Sequence, residues 1–258
     1  VWFVANASDL GKIDTEAALK KRVLTYSSNE TGLPENQLCG MTGMWSGIVD
    51  EGGVESINVD LTRLVAKISF AYLIGGTDFS FTPTSVTLNS VPDKCQIEAP
   101  ANQLTADVIY KTYIGTAGSG GATMYWYPPE NMAGTVSGEN AVDAEKKKTG
   151  QGVTNATYIE LTGRAIQSGV TYENVTFRFY PGSGMNNYDI VRNSHYTMNV
   201  TLVGIDISDE RITVGTIPPV DIGGLSVMPA GIGGTTELQI TARPGQQWKI
   251  GLPDWLSA

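Results

Sequence analysis

The chain has 258 residues, of which 17% are charged and 30 are glycine. This length favours two domains, and a charged fraction below the ~25% of average soluble proteins, with abundant glycine, favours strands joined by turns. The formal net charge is −9, and the basic residues form no large cluster, which excludes nucleic acid as a partner. No long apolar run occurs, so we expect contact with a membrane only through a lipid anchor that lies outside this chain.

The first predicted elements are a strand at residues 1–5 and a helix at residues 14–24. Asp14 or Thr15 can cap the free amides at the start of the helix. Basic side chains at residues 20–22 lie near its end, where the helix dipole favours positive charge. These features predict one short helix in a chain that is otherwise mainly β.

A long strand is predicted at residues 56–74, because apolar and polar residues alternate through most of it. The alternation changes parity near Thr62. A one-residue shift of this kind requires a β-bulge or a sharp bend if both halves are to face one core. We expect that bulge or bend at residues 61–64.

Shorter strands are predicted at residues 85–91, 106–113 and 124–127, and the proline pair at 128–129 ends the last of them. Residues 133–153 have no apolar period and hold much of the local charge, which is typical of a linker. Alternation resumes at Tyr158. These patterns place a first domain at residues 1–135 and a second at 136–215.

The most specific pattern lies at residues 177–207. Apolar residues alternate with polar ones at residues 175–180 and again at 198–203, which is the period of half-buried strands. Pro181, Gly182 and Gly184 provide turn chemistry between the two runs. We therefore predict that the two strands form a hairpin.

The order of motifs here, FRFYPG followed by NNYDIVRNSHYTMNV, resembles the fimbrillin family of Bacteroidales. Four shorter motifs support the resemblance: VANAS at 4–8, LCGMTG at 38–43, VDLTRLVAKISF at 59–70 and YWYPPENMAG at 125–134. The family comprises FimA-type and Mfa-type fimbrial subunits and accessory proteins, which are secreted as lipoproteins and assembled on the cell surface. The resemblance implies two transthyretin-like β-sandwich domains in tandem, the first with the short helix.

Residues 216–258 are predicted to form a C-terminal extension with a β-hairpin. Its alternating residues are Leu238, Ile240, Ala242, Trp248 and Ile250, and Pro244 and Gly245 suit the turn between them. The segments LSVMPAG and WKIGLPDWLS resemble the opening half of a BACON domain, a small sandwich. The extension is therefore either part of such a domain or a source of strands for neighbouring subunits.

No motif of nucleophilic, metal-dependent or nucleotide-dependent catalysis occurs. His195 is the single histidine, and its place in a predicted strand favours a structural role. Cys39 and Cys95 lie in no metal-binding spacing, and the sequence leaves open whether they form a disulfide or remain thiols. We predict no enzyme activity, no cofactor and no metal site.

Two functions from different classes fit these observations. The resemblance implies a structural, accessory or tip subunit of an adhesive fimbria at the cell surface, either attached to the outer membrane or within the fimbrium. Such a subunit joins other fimbrial subunits by β-strand addition and contacts host or bacterial surface ligands. The candidate added strand comprises the five alternating residues of the extension.

The alternative is a surface lipoprotein that binds host or dietary glycans on a fimbrillin-like scaffold. Its candidate contacts are Tyr125, Trp126 and Tyr127, because aromatic rings offer apolar faces to sugars. A groove along a sandwich edge would favour assembly, whereas an exposed, coplanar aromatic pair would favour glycan binding.

Overall fold

The computed structural model describes residues 1–7, 9–26, 38–53, 56–98, 105–136, 153–184, 186–209, 211–216, 221–223 and 239–241. The fold of these residues is mainly β, as the composition predicts. The one helix among them is α1 (Glu16–Lys20). No helix in the described ranges has the length and apolar character needed to cross a membrane.

The strands are, in chain order, β1 (Trp2–Ala5), β2 (Val23–Thr25), β3 (Met41–Met44), β4 (Thr62–Arg63), β5 (Lys67–Ile74), β6 (Phe79–Pro92), β7 (Lys94–Gln96), β8 (Tyr110–Gly115), β9 (Gly121–Trp126), β10 (Tyr158–Gln167), β11 (Val170–Phe179), β12 (His195–Leu202), β13 (Ile212–Thr216), β14 (Asp221–Gly223) and β15 (Gln239–Thr241). Small sheets form near the N-terminus, in the order β1-β3-β4 and as the pair β2-β7. The strands β14 and β15 pair with each other.

Two larger sheets face each other across the main core. One has five strands in the order β13-β11-β10-β6-β8, and the other has three in the order β12-β5-β9. All the pairs are antiparallel except β12 with β5, which is parallel. The core between the sheets contains large buried side chains from both of them, including Phe70, Trp126, Leu88, Ile159 and Phe177.

The predicted boundary between residues 135 and 136 falls inside this pair of sheets, because β6 from before it pairs with β10 from after it. A second, smaller core lies near the N-terminus and contains Leu24, Tyr26, Leu64, Val65, Cys95 and Ile97. Of two consecutive buried residues, Val65 packs in the smaller core and Ala66 packs in the larger one. A tandem of transthyretin-like sandwiches stays a prediction.

The helix is shorter than the sequence predicts, since α1 covers five residues and not the range 14–24. Thr15, one of the two predicted caps, caps it by accepting a hydrogen bond from the Ala18 N–H at 3.1 Å. No side chain of α1 is buried. Leu24, the last residue of the predicted helix range, lies in β2, where its β-branched neighbours favour strand.

The predicted strand at residues 56–74 is wrong as a single element, because β4 and β5 belong to different sheets. Residues 64–66, which connect them, are buried, and they pass from the smaller core to the larger one. The change in parity near Thr62 therefore marks a change of sheet, and the chain bends at Leu64, which agrees with the bend and not with the bulge predicted at residues 61–64. Only the second half has a buried apolar face, at Ile68, Phe70 and Tyr72, whereas Ile57 and Leu61 in the first half are exposed.

The predicted hairpin at residues 175–203 is also wrong, because β11 and β12 lie in opposite sheets. Phe177 of β11 and Met198 of β12 pack against the same core from its two sides. Alternation specifies which face of a strand is buried, but it does not specify the partner strand. Between them the chain crosses from sheet to sheet, and Ile190 pairs with Asn131 on the way.

Candidate functional site: an open groove along β12

The strand β12 lies at the edge of the three-stranded sheet. It pairs with β5 over all eight of its residues, from His195 opposite Lys67 to Leu202 opposite Ile74, without a register shift. No other strand of the described residues pairs with it. One side of β12 therefore remains available to a further strand.

The register shows which backbone groups face that open side. The Lys67 N–H donates to the Ser194 carbonyl at 2.8 Å, and the Gly75 N–H donates to the Leu202 carbonyl at 2.8 Å. In a parallel ladder alternate residues point their backbone groups to the partner strand, so the even-numbered residues of β12 bond to β5. The N–H and C=O groups of residues 195, 197, 199 and 201 consequently point to the open edge.

A groove of about 870 Å³ runs along the inner face of β12. We call it the β12 groove. On the β12 side it is lined by Tyr196, Met198 and Val200, and on the side of the five-stranded sheet by Phe179, residues 180–184 and Arg211. The apolar side chains among these pack against the main core but remain only half-buried.

The sequence of β12 produces this arrangement through its alternation. Tyr196, Met198 and Val200 point towards the core, whereas Thr197 and Asn199 point outward and are exposed. An interior strand would bury its inner face fully, as β5 does at Ile68, Phe70 and Tyr72. The partial burial on β12 arises because no strand within the described ranges lies beside it on the open side.

Hydrogen bonds fix the end of the groove where β12 begins. The Tyr196 hydroxyl donates to the Asp189 carbonyl at 3.1 Å and accepts from the Val191 N–H at 2.9 Å. Burial raises the pKa of the Tyr196 phenol, so the hydroxyl keeps its proton for the first of these bonds. On the other wall, Arg211 forms an ion pair of 2.7 Å with the Asp209 carboxylate. Polar groups that are held by hydrogen bonds and an ion pair therefore flank the apolar floor of the groove.

The predicted aromatic contacts separate in the structure. Tyr125 is 49% exposed on the outer face of β9, and its ring lies 4.6 Å from the Lys67 ammonium. Trp126 is 1% exposed, belongs to the main core and donates its Nε1–H to the Ile114 carbonyl at 3.2 Å. Tyr127 is half-buried against the smaller core. The coplanar exposed pair that would favour glycan binding is not formed by these three residues.

Most of the predicted strand-addition residues lie outside the described residues, namely Leu238, Ala242, Trp248 and Ile250. Ile240 lies in β15, opposite Ile222 of β14. In the groove itself, sequence reasoning found the alternation of Met198 and Val200 but assigned it to a hairpin. Alternation alone could not reveal the groove, because an edge strand carries the same alternation as a strand that is paired on both sides.

The surroundings of the two cysteines and of the histidine show no arrangement of metal ligands among the described residues. Cys39 and Cys95 are free thiols, and burial raises the pKa of the Cys95 thiol to about 11. The His195 ring contacts the Ser69 hydroxyl at 2.6 Å. Within the described part of the chain, no three His, Cys, Asp or Glu side chains converge as metal ligands would.

Comparisons with known proteins bear on this fold. A family model described as a domain of unknown function (DUF4906) matches residues 126–200, which include β10, β11 and most of β12. No curated protein sequence matches the chain significantly. Solved structures do resemble it, and they include three with TM-scores above 0.5.

The first is a candidate cell adhesion protein from Parabacteroides distasonis, with a TM-score of 0.53, 14% identity and coverage of 83% of this chain and 80% of that chain. The second is the tip fimbrial protein Mfa3 from Porphyromonas gingivalis with a C-terminal truncation. Its TM-score is 0.52 and its identity 15%, and the match covers 83% of this chain and 77% of that chain. The third is a candidate cell adhesion protein from Bacteroides eggerthii. Its TM-score is 0.51 and its identity 15%, and the match covers 83% of this chain and 75% of that chain. At these identities, the chain is shown to share their fold.

Proposed function

We propose that this chain is a non-catalytic subunit of a cell-surface adhesive fimbria, as a structural, accessory or tip component, and that it joins its neighbours by β-strand addition along β12. The observation that carries the proposal is the edge of β12, which pairs only with β5 among the described strands and lies beside the half-exposed apolar floor of the groove. The fold that the chain shares with a fimbrial tip protein and two candidate adhesion proteins supports it.

An added strand would use both features of the site. Its backbone would bond to the outward N–H and C=O groups of residues 195, 197, 199 and 201, as in other cases of strand addition. Its alternate side chains would enter the groove and cover Tyr196, Met198 and Val200. Each buried apolar side chain contributes about 1.5 to 3 kcal/mol, less the cost of ordering the strand.

The strand would come from a neighbouring subunit, and the C-terminal extension of such a subunit is our candidate. In this chain the extension offers the alternation Leu238, Ile240, Ala242 and the further apolar residues Trp248 and Ile250. Its resemblance to a BACON domain is the competing assignment. Attachment of the assembled fimbria to the outer membrane, through a lipid anchor on the precursor, belongs to the same proposal.

The face of β12 provides a matched pair of variants to test assembly. Met198→Asp places a charge on the groove floor, while Asn199→Asp places the same charge one residue further, on the exposed outer face. We expect Met198→Asp to abolish SDS-resistant multimers of the full precursor after limited proteolysis, and Asn199→Asp to retain them. Equal multimer formation by the two folded variants, checked by circular dichroism, would count against the groove as the joint.

Proline at position 197 tests the backbone component separately. The Thr197 N–H points to the open edge, so Thr197→Pro removes a donor for an added strand without removing a bond to β5. We expect multimers to be lost while the melting temperature changes little. If multimers persist in this folded variant, backbone addition at the β12 edge is refuted.

A glycan-binding surface lipoprotein remains the second candidate function. The observation in its favour is the exposed ring of Tyr125 beside Lys67 on the outer face of the three-stranded sheet. Met198→Asp leaves that face unchanged, because Met198 points towards the core, so under this alternative the variant would keep its ligand.

A further inference from the structure

A second cavity lies where the N-terminal region meets the three-stranded sheet. It has a volume of about 390 Å³, and its lining includes Arg63, Lys67, Tyr127, Asn193, Ser194 and His195. We call it the junction cavity. Its volume is within the range of small-molecule sites, which begins at about 300 Å³.

The two cationic side chains of the junction cavity are held by uncharged partners. The Arg63 guanidinium donates to the Asn193 side-chain carbonyl at 3.3 Å. The Lys67 ammonium lies 4.6 Å from the centroid of the Tyr125 ring. Among the described residues, neither cation forms an ion pair with a carboxylate.

Four other arginines differ in this respect, whereas Arg22 resembles Arg63 in that it donates to a carbonyl, that of Lys12 at 3.2 Å, and forms no ion pair among the described residues. Arg164, Arg178, Arg192 and Arg211 each pair with an Asp or Glu side chain. The described lining of the junction cavity contains no Asp or Glu. In a chain of net charge −9, this is a local positive site, and such a site attracts anions.

Hydrogen bonds connect Arg63 and His195 to neighbouring residues of the cavity. Asn193 holds Arg63 with its side chain, while its backbone N–H donates to the Val65 carbonyl at 3.0 Å. The His195 ring is held by Ser69 at 2.6 Å. A guanidinium held in this way is suited to the paired oxygens of a carboxylate.

Aromatic rings accompany these cations. Tyr127 lines the cavity, and Tyr125 is 49% exposed where it meets Lys67. Aromatic rings present apolar faces with polar edges, which suit the faces of sugar rings. From the cavity, the cations and the rings together, we infer that the junction cavity binds an acidic sugar, with its carboxylate on Arg63 and Lys67 and its ring against Tyr127.

The test is a titration of the folded protein with two acidic probes, 3′-sialyllactose and digalacturonic acid, and with lactose as the neutral control. At low ionic strength we expect at least one acidic probe to bind by calorimetry, and lactose not to bind. Arg63→Gln and Lys67→Gln should each weaken the affinity about tenfold. Lys111→Gln, which removes a cation from β8 in the other sheet, should leave it unchanged.

Three results would overturn the inference: absence of binding by both acidic probes, equal effects of Lys111→Gln and the two cavity variants, or equal affinity for a triglutamate peptide. The exposed position of Arg63 makes a folding defect in Arg63→Gln unexpected, and a melting curve checks it. The assembly test uses the β12 groove and SDS-resistant multimers. Failure of sugar binding and failure of assembly are therefore observed separately.

Discussion

The Arg192 side chain forms an ion pair with Glu130 and also bonds to residues 96–97 at the smaller core, and its removal gives the sharpest stability prediction. Arg192 donates to both carboxylate oxygens of Glu130 at 3.0 Å. It also donates to the carbonyls of Gln96 and Ile97, both at 2.8 Å. The two side chains are only 15% and 11% exposed.

Loss of the arginine leaves a buried carboxylate without its partner, which costs about 3 to 5 kcal/mol in comparable pairs. Two backbone carbonyls lose a charged donor as well, at about 1 kcal/mol or more each, although these costs overlap. We therefore expect Arg192→Met to lower the free energy of unfolding by about 3 to 5 kcal/mol. Adding Glu130→Gln should restore part of this, because the uncompensated charge is then removed.

Urea denaturation followed by tryptophan fluorescence measures these differences. The control is Arg164→Met, since Arg164 and Glu173 are both 49% exposed and such a pair contributes about 1 kcal/mol or less. Equal destabilisation by Arg192→Met and Arg164→Met would refute the reasoning. So would a double variant, Arg192→Met with Glu130→Gln, that is no more stable than Arg192→Met alone.

Two further predictions concern the cores. Because burial raises the pKa of the Cys95 thiol to about 11, the folded state keeps this proton longer than the unfolded state. The unfolding free energy should therefore fall as pH rises from about 8.5 to 11, by up to ~1.4 kcal/mol per pH unit from this thiol, and denaturation of Cys95→Ala should show a smaller slope. At Gly163, where the β10 register shifts, a Cβ would meet the Thr82 carbonyl oxygen. Gly163→Ala should cost about 1 to 3 kcal/mol in the same assay, whereas Gly52→Ala, with open space around it, should cost little.

The positions of many strands could be predicted from the sequence, because alternation depends only on which face of a strand is buried. The strands around Tyr158, Phe177 and Met198 all lie where the pattern predicts them. Their partners could not be predicted. Pairing of β6 with β10 joins residues about 70 positions apart, such as Leu88 and Ile159, and no local pattern encodes that contact.

The candidate site was hidden from the sequence for a related reason. Tyr196, Met198 and Val200 carry the alternation of an ordinary half-buried strand. Their significance depends on the absence of a neighbour beside β12 among the described strands, which is a property of the whole sheet. The junction cavity depends in the same way on long-range contacts, since Arg63 and Asn193 meet only in the folded chain.

The sequence of β12 lacks residues that usually block pairing at the edge of a sheet. Natural edge strands avoid unwanted pairing through lysine, proline, a bulge or short length. The strand β12, HYTMNVTL, has eight residues in regular register and contains neither lysine nor proline. In the described part of the chain, its open side therefore presents backbone groups without a partner strand beside an apolar groove, whereas the opposite flank of the sandwich is joined by the β8–β9 connection at residues 116–120. An edge of this composition is a hazard in a protein that acts alone, and it is what a strand-accepting subunit requires.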